Sequence, residues 1–167
     1  KTTLFRSLAG LWPFGSGRIE RPERERMLFV PQRPYLPLGT LRAVVSYPAA
    51  EHSIDDARIR EVLAQVGLGH FADRLDAVEN WEQQLSAHEQ QLIGIARALL
   101  QQPDWLLLDE ATSGLDEPTE RQICDTLLAR MPNTGVIAGG LRPRALELVP
   151  RRWTLAERDR VNVLLAP

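Results

Sequence analysis

Three short stretches of the chain are built almost wholly from apolar residues, and they constrain the fold more than any other feature of the sequence. They lie at residues 27–30, 105–108 and 136–138. None of them alternates apolar and polar residues as a half-exposed strand does. Each is therefore predicted to be a strand buried on both faces, which is typical of parallel sheets. Helical patterns separate the three stretches, and this order predicts an α/β fold with a parallel sheet flanked by helices.

The segments around the predicted strands carry helical signals. Helices are predicted at residues 2–11, 54–66, 86–101 and 118–130. In the third of these, Ser86 and Glu89 form a capping box, and apolar residues then recur at helical spacing, so that one face packs inward. For the second, Ser53 is the predicted N-cap.

The chain is predicted to be a single domain, residues 1–167, with one distinctive part. Residues from about 41 to 85 show helical signals and little strand, which predicts a helical insertion or subdomain within this domain. Two short closing strands are predicted at residues 152–155 and 160–164, where apolar residues return.

Charge and cysteine content limit the classes of function that fit the chain. The formal net charge at pH 7 is −2, so no overall positive field attracts nucleic acid, and no nucleic-acid partner is expected. Cys124 is the sole cysteine, which excludes an internal disulfide, and its helical surroundings favour a buried structural thiol over a nucleophile. No apolar run approaches the ~18 residues that a membrane-spanning helix needs.

The most informative stretch is Trp-Leu-Leu-Leu-Asp-Glu at residues 105–110, a predicted strand that ends in two acids. Open α/β sheets bind ligands beyond the carboxyl ends of their strands. At such a place Asp109 can hold hydrated Mg²⁺, and Glu110 can polarise a water for attack on phosphorus. The alternative is a strand that simply ends in two solvated acids. The tight turn that follows, which ends in Asp116 and leads into a helix, favours the functional interpretation.

The first residues provide a second, weaker signal. Lys1, Thr2 and Thr3 run into a predicted helix, as in the second half of the phosphate-binding motif G-x-x-x-x-G-K-[ST]. In that motif the lysine is a point charge on the outer phosphates and the hydroxyl ligates Mg²⁺. The glycines that cradle the phosphates would precede residue 1. We therefore expect the sequence to start within this loop and to lack its glycine-rich half and the strands before it. This short motif is evidence for a phosphate site only because a predicted strand that ends in Asp-Glu follows later in the chain.

The motifs and their order resemble those of ABC transporter ATPase domains. Residues 85–90, Leu-Ser-Ala-His-Glu-Gln, and 95–99, Ile-Ala-Arg-Ala-Leu, are similar to the signature helix. Residues 106–116 are similar to the Walker B strand and D-loop, and residues 31–37, Pro-Gln-Arg-Pro-Tyr-Leu-Pro, to the Q-loop. The resemblance implies a P-loop NTPase fold of the RecA-like type, with an inserted α-helical signature subdomain.

Two further stretches resemble a narrower group. Residues 10–13, Gly-Leu-Trp-Pro, and the motifs within residues 31–48 are similar to bacterial half-transporters of the vitamin B12, bleomycin and antimicrobial-peptide type and to peroxisomal fatty-acyl half-transporters. In that group one polypeptide joins membrane helices to an ATPase domain. The resemblance implies a transmembrane domain in the same polypeptide, a second ATPase domain bound head to tail, and a location on the cytoplasmic face of the bacterial inner membrane.

The resemblance also implies ATP and Mg²⁺ as ligands. Lys1 would bind the β- and γ-phosphates, with Thr2 and Thr3 in the same motif. Thr2 would ligate Mg²⁺ directly and Asp109 would hold it through water. Glu110 would act as the catalytic base.

Four other residues receive roles from the same resemblance. Gln32 would contact Mg²⁺ and the attacking water and would connect the site to the membrane helices. Ser86 would reach the γ-phosphate of the partner subunit's ATP, with His88 in the same loop. Asp116 would bridge the two subunits.

The sequence departs from the family pattern at two loops. Ala87 and His88 occupy the glycine positions of the signature, where a backbone N–H normally approaches the γ-phosphate with no Cβ in the way. Leu141 occupies the position of the switch histidine and has no hydrogen bond to donate.

These departures leave two functions open. One is an ATP-hydrolysing domain of a half-transporter, and the other is a catalytically degenerate domain that serves as a scaffold or as the weaker half of a pair. A soluble ABC ATPase of DNA repair or translation is disfavoured, because the segment between Gln32 and Ser86 is too short for a long coiled coil and no basic patch is present.

Overall fold

A computed structural model of the chain describes residues 1–23, 26–147, 151–158 and 161–165. Its helices are α1 (Thr2–Leu8), α2 (Leu41–Ser46), α3 (Asp56–Gln65), α4 (Trp81–Gln84), α5 (Ala87–Gln101), α6 (Glu117–Arg130) and α7 (Pro143–Leu146), with a 3-10 helix at Gly69–Arg74. Its strands are β1 (Met27–Pro31), β2 (Gly39–Thr40), β3 (Val78–Glu79), β4 (Trp105–Asp109), β5 (Gly135–Gly139), β6 (Thr154–Arg158) and β7 (Val161–Leu165). Among the described residues, none of the helices has the length and apolar character needed to cross a bilayer.

The centre of the fold is a parallel sheet in the order β1-β4-β5. These are the three strands that the apolar stretches predict, and the predicted α/β architecture is confirmed. The prediction that all three are buried on both faces is wrong for β1, which alternates between buried and half-buried residues, and for β5, which is half-buried to exposed, because these two are the outer strands of the sheet. Helix α5 packs on β1 and helix α1 on β4. The register sets Pro31, Asp109 and Gly139 side by side, so the three strands end at one common edge.

Two small antiparallel pairs accompany this sheet. Strand β2 lies just before the otherwise helical region at residues 41–100 and pairs with β3 inside that region, and β6 pairs with β7. The predicted closing strands therefore exist but lie one to three residues further along the chain than predicted. Residue 160, the first of the predicted second strand, lies outside the described residues.

Two predicted helix ends are wrong. Helix α1 ends at Leu8 rather than at residue 11, because Gly10 adopts a φ of 72° and the N–H groups of Gly10 and Leu11 donate to the carbonyls of Ser7 and Arg6. These two hydrogen bonds form the Schellman motif that closes many helices. The glycine at position 10 was the sequence signal for this helix end, since glycine is the preferred residue just after a helix.

The N-cap of α3 is Asp55 and not Ser53. An Asp55 carboxylate oxygen accepts a hydrogen bond of 3.1 Å from the Ala57 N–H. The Ser53 hydroxyl instead donates to the carbonyl of Ala50 in the preceding turn. A carboxylate one residue before the helix is as good a cap as serine, and the positive helix end favours its charge. The inward face of α3 consists of Ile59, Val62 and Leu63, which are buried, and Val66 is buried just beyond the helix.

Helix α5 carries a buried cation that holds two distant segments. The Arg97 guanidinium donates to the carbonyl of Tyr35 at 2.9 Å and to that of Val44 at 2.9 and 2.6 Å. It also lies 5.2 Å from the centre of the Tyr47 ring. Burial lowers the pKa of Arg97 to about 10, so the side chain remains charged at neutral pH. Arg97 thereby fixes the segments after β1 and in α2 onto α5.

Cys124 lies on the inward face of α6 and is buried, as predicted for a structural thiol. Burial raises the pKa of the thiol to about 11, and the charges of Glu120 and Asp125 act in the same direction. Because the thiolate is the reactive form, the folded chain holds this cysteine in an unreactive state.

We expect iodoacetamide at pH 8 to alkylate Cys124 roughly 100-fold more slowly in the folded chain than in guanidinium, because that is the approximate drop in the thiolate fraction when burial raises the pKa by two units. Mass spectrometry of timed samples measures both rates. Similar rates in the two conditions would show that the thiol is accessible.

Candidate functional site

The common edge of the parallel sheet brings together the residues that follow each strand. Gln32 follows β1, Glu110 follows β4 and Gly140 follows β5. At this edge α1 also approaches the sheet, since a Cβ on Gly139 would lie 2.9 Å from the Phe5 ring. The edge is therefore the place where the predicted phosphate-binding helix and the acidic strand meet.

Asp109 is the buried acid of the site. The residue is 3% exposed, and its Oδ1 atom has no hydrogen-bond partner among the described residues. A buried carboxylate oxygen without a partner is costly unless a cation or another donor approaches it. Hard cations such as Mg²⁺ prefer oxygen ligands and are commonly held by only one or two carboxylates, with the rest of the shell from water and phosphate. The residues present fit such an ion, and the described chain contains no cluster of three or more acidic, histidine or cysteine ligands that would suggest another metal.

Glu110 sits on an unusual backbone. Its φ is 53°, in the left-handed region that non-glycine residues seldom adopt, and its N–H donates to the Gly139 carbonyl at 3.0 Å. Gly140, the residue after β5, has a φ of 82°, and a Cβ at that position would lie 2.8 Å from Glu110 Cγ. The side chain of Glu110 therefore occupies its place only because residue 140 is glycine.

Gln32 is exposed and reaches the turn after β4. Its side-chain nitrogen donates to the Ser113 hydroxyl at 3.0 Å. The amide of Gln91, on α5, donates to the main-chain carbonyl of Gln32 at 3.2 Å and to Ser113 Oγ at 3.4 Å, and it accepts from the Gly114 N–H at 2.9 Å. The segment after β1, the helix α5 and the turn after β4 are thus joined by one polar network.

A second network holds the turn that leads to Asp116. Glu120 is fully buried and accepts from the Thr112 hydroxyl at 2.6 Å and from the Arg142 N–H at 3.2 Å. The Arg142 guanidinium donates to the main-chain carbonyls of Leu115 and Ser113. Arg142 follows Leu141, so this network connects the loop after β5 with the loop after β4.

Ser86 begins α5 with the predicted capping box. Glu89 accepts hydrogen bonds from the Ser86 N–H at 2.8 Å and hydroxyl at 2.7 Å, and its other oxygen lies 3.3 Å from His70 Nε2. Partial burial alone would raise the pKa of Glu89, but the hydrogen bonds from Ser86 and His70 outweigh it and lower the pKa. Glu89 is therefore an anion that orients the exposed Ser86 hydroxyl.

His88 and Asp116 lie close enough to interact electrostatically. Hydrogen bonds from the side chain and backbone of Thr119 lower the pKa of Asp116, and the charges of His88 and Arg142 lower it further. Asp116 is also the N-cap of α6, accepting from the Thr119 N–H at 2.8 Å. The structure thus brings the altered signature loop next to the acid at the end of the turn after β4.

The predicted site residues fall into three groups. Gln32, Asp109 and Glu110 lie at the sheet edge; Lys1, Thr2 and Thr3 are exposed at the start of α1; and Ser86, His88 and Asp116 lie around the start of α5 and of α6.

Sequence reasoning missed four residues that connect these groups, namely Gln91, Ser113, Glu120 and Arg142. Gln91 alone gave a signal, because it stands four residues before Ile95 on the apolar face of α5.

Comparisons with known proteins bear on the family of this chain. The sequence model of the ABC transporter family matches residues 1–113. The chain belongs to the ABC transporter family. An uncharacterised ABC transporter ATP-binding protein of Synechocystis sp. is 46% identical over 146 residues, which are 86% of this chain and 22% of that protein. Human ATP-binding cassette sub-family D member 3 is 40% identical over 131 residues, which are 74% of this chain and 20% of that protein.

The likeness extends to a solved structure. The structure of a bacterial Atm1-family ABC exporter with ATP bound superposes with a TM-score of 0.70 at 26% identity, covering 83% of this chain and 27% of the exporter chain. The ABC domain therefore has the P-loop NTPase fold that the sequence predicts, and it is a nucleotide-binding domain. It spans only about a fifth to a quarter of the length of the curated relatives.

We expect Gly140→Ala to lower the ATP hydrolysis rate of the whole gene product roughly ten-fold or more, because a Cβ there displaces the Glu110 side chain from its position. Gly67→Ala is the matched control, since Gly67 has nearly the same φ, 83°, but open space around its Cβ position. Both variants should lose a similar amount of thermal stability. Equal hydrolysis rates for the two variants would show that the contact with Glu110 has no effect on the reaction.

Proposed function

We propose that this ABC domain is the ATPase domain of a half-transporter and couples ATP binding and hydrolysis to the movement of a solute across a membrane. The observation that carries the proposal is the sheet edge, where Glu110 follows the buried Asp109, whose Oδ1 atom has no partner among the described residues. Helix α1 packs on the strand that ends there. The described residues form one ATPase domain in this proposal, with a helical subdomain at about 41–100.

The nucleotide lies at this edge. Lys1 supplies a positive charge for the β- and γ-phosphates, and Thr2 and Thr3 add hydroxyl groups at the same helix start. Thr2 and Gln32 would hold Mg²⁺ through their side-chain oxygen atoms, and Asp109 would hold it through water. When bound, the ion would neutralise charge on the phosphates. The buried oxygen of Asp109 supports this assignment, because it has no other partner among the described residues.

Glu110 acts on the attacking water. A carboxylate within hydrogen-bond reach of the water takes its proton while the water oxygen bonds to the γ-phosphorus. The bond between that phosphorus and the β–γ bridging oxygen breaks, and ADP leaves with the bridging oxygen. The left-handed backbone of Glu110 and the missing Cβ of Gly140 support this role, because together they fix where the carboxylate points. Gln32 orients the same water, and its exposed side chain is within reach of the turn after β4.

A second ATPase domain completes the site in a head-to-tail dimer. In this arrangement Ser86 donates its hydroxyl to the γ-phosphate held by the partner, and Asp116 bridges the two subunits. The exposure of Ser86 and Asp116 supports the proposal, since both side chains face outward from the chain. Glu89 holds the Ser86 hydroxyl in place until the partner's nucleotide competes for it.

A transmembrane domain, carried by the same polypeptide, docks beside Gln32 in this proposal. A groove of about 580 Å³ lies there between β1, α5 and the end of α2. Tyr35 and Tyr47 form its rim, both substantially exposed and stacked edge to face with ring centres 5.3 Å apart. A membrane partner places the domain on the cytoplasmic face of the bacterial inner membrane.

Two substitutions make turnover slow in this proposal. His88 places an imidazole where a glycine normally allows close approach to the γ-phosphate. Leu141 has no donor for the same phosphate. No observation on the described residues or the relatives favours the degenerate scaffold, so these changes are taken to reduce the rate and not to abolish it.

We expect Glu110→Gln to abolish ATP hydrolysis and to leave ATP binding intact, because the amide has the same shape and only the base is lost. Glu82→Gln, which removes the same charge from an exposed position, is the control and should hydrolyse ATP within about two-fold of wild type. Phosphate release and binding of a fluorescent ATP analogue are the two measurements. Hydrolysis by Glu110→Gln at the wild-type rate would exclude Glu110 as the base.

Restoring the family residues should accelerate the reaction. Leu141→His adds a donor, and one preorganised donor is typically worth on the order of 10²–10³ in rate. His88→Gly allows the signature loop to approach the partner's nucleotide, so the double variant should exceed the sum of the two singles. Phosphate release by wild type, both singles and the double is compared in lipid vesicles. A brisk wild-type rate that the double variant leaves unchanged would show that other residues compensate for both substitutions.

A further inference from the structure

We propose that Gln91 is a positioning residue that ties the backbone of the Gln32 segment to the turn at residues 113–116 and to helix α5. The inference rests on the proposed function and adds to it a residue that joins the parts of the site. Gln91 is 5% exposed, and both polar atoms of its side chain are used. The segments that it joins lie 59 and 22 residues away from it along the sequence.

The hydrogen bonds fix which way the amide points. The main-chain carbonyl of Gln32 can only accept, and the main-chain N–H of Gly114 can only donate. The side-chain nitrogen of Gln91 must therefore face Gln32, at 3.2 Å, and its oxygen must face Gly114, at 2.9 Å. No other orientation of the amide satisfies both partners, so the three segments have one relative position in which the network is complete.

The turn is shaped to receive this amide. A Cβ on Gly114 would lie 2.9 Å from the side-chain oxygen of Gln91, a distance that a real Cβ would not keep. Ser113, the neighbouring residue, receives hydrogen bonds from the side chains of both Gln91 and Gln32. The turn is thus bonded to the Gln32 segment in two ways. The Gln32 side chain bonds to it directly, and the Gln32 backbone is linked to it through Gln91.

A purely structural need does not account for a buried amide at this place. Helix α5 is already held by its apolar face, with Leu92, Ile95 and Leu99 buried. A buried amide stabilises a fold only when it is fully bonded, and here its partners belong solely to the two loops that carry site residues. Ser86 begins the same helix five residues earlier. A displacement of the Gln32 segment, as on docking of a membrane domain, therefore reaches both Ser86 and the Asp116 turn through Gln91.

The test compares two neighbouring glutamines in the whole gene product, reconstituted in lipid vesicles. Gln91→Glu keeps the acceptor for Gly114 but replaces the donor with an oxygen that faces the Gln32 carbonyl. Gln91→Met removes the polar contacts at nearly the same length and adds no charge. Gln90→Glu is the matched control, because Gln90 lies on the same helix and, among the described residues, its amide donates to the carbonyls of Glu82 and Leu85 before the helix.

We expect both Gln91 variants to lower kcat for ATP hydrolysis roughly ten-fold, because small displacements of reacting groups are costly. Their KM for ATP should stay within about two-fold of wild type, since the phosphate-binding end of α1 is untouched. Gln90→Glu should change neither constant. In a double-mutant cycle, Ser113→Ala combined with Gln91→Met should cost less than the sum of the singles, because both act through one network.

The inference is overturned if the Gln91 variants keep the wild-type kcat, if KM rises along with the loss of kcat, or if Gln90→Glu lowers kcat equally. It is also overturned if Ser113→Ala and Gln91→Met are additive. Failure of the proposed function is a separate result: wild type would not hydrolyse ATP, or Glu110→Gln would leave hydrolysis unchanged. Active wild type, inactive Glu110→Gln and normal Gln91 variants would therefore refute the positioning role alone.

Discussion

The whole site depends on the register of three parallel strands. Because Pro31, Asp109 and Gly139 lie side by side, three loops that are far apart in sequence leave the sheet at one edge. The register is fixed, since a slip by one residue would move every side chain of a strand to the opposite face of the sheet and would separate Asp109 from Pro31 and Gly139. The loops are then held to each other by polar contacts, and those contacts determine how the acids, the glutamine and the turn are placed.

The sequence predicted those parts of the fold that local pattern determines. The wholly apolar runs were sufficient for β1, β4 and β5, and the capping box was sufficient for the start of α5. The errors occurred where two local signals competed, as for Asp55 and Ser53 before α3, or where a glycine ended a helix whose apolar pattern continued, as at Gly10. Both are differences of two or three residues that propensity alone does not decide.

The acids of the site could be predicted from the sequence, and the residues that form the polar networks around the site could not. Asp109 and Glu110 stand out because a strand of apolar residues rarely ends in two acids, and the family motif names Gln32. No sequence signal identifies Glu120 and Arg142, since an acid in a helix and an arginine in a loop are ordinary surface residues. Only the folded chain shows Glu120 fully buried between Thr112 and the Arg142 backbone. Tertiary contacts of this kind leave no periodic signal in a sequence.

The buried guanidinium of Arg97 has a consequence for how the surface of the domain can vary. Arg97 holds the segments at Tyr35 and Val44 by their main-chain carbonyls, and not by their side chains. The attachment therefore does not depend on which side chain residue 35 carries, as long as the backbone keeps its course. The side chains of the exposed rim beside Gln32 can therefore be exchanged without loss of the attachment of this segment to α5.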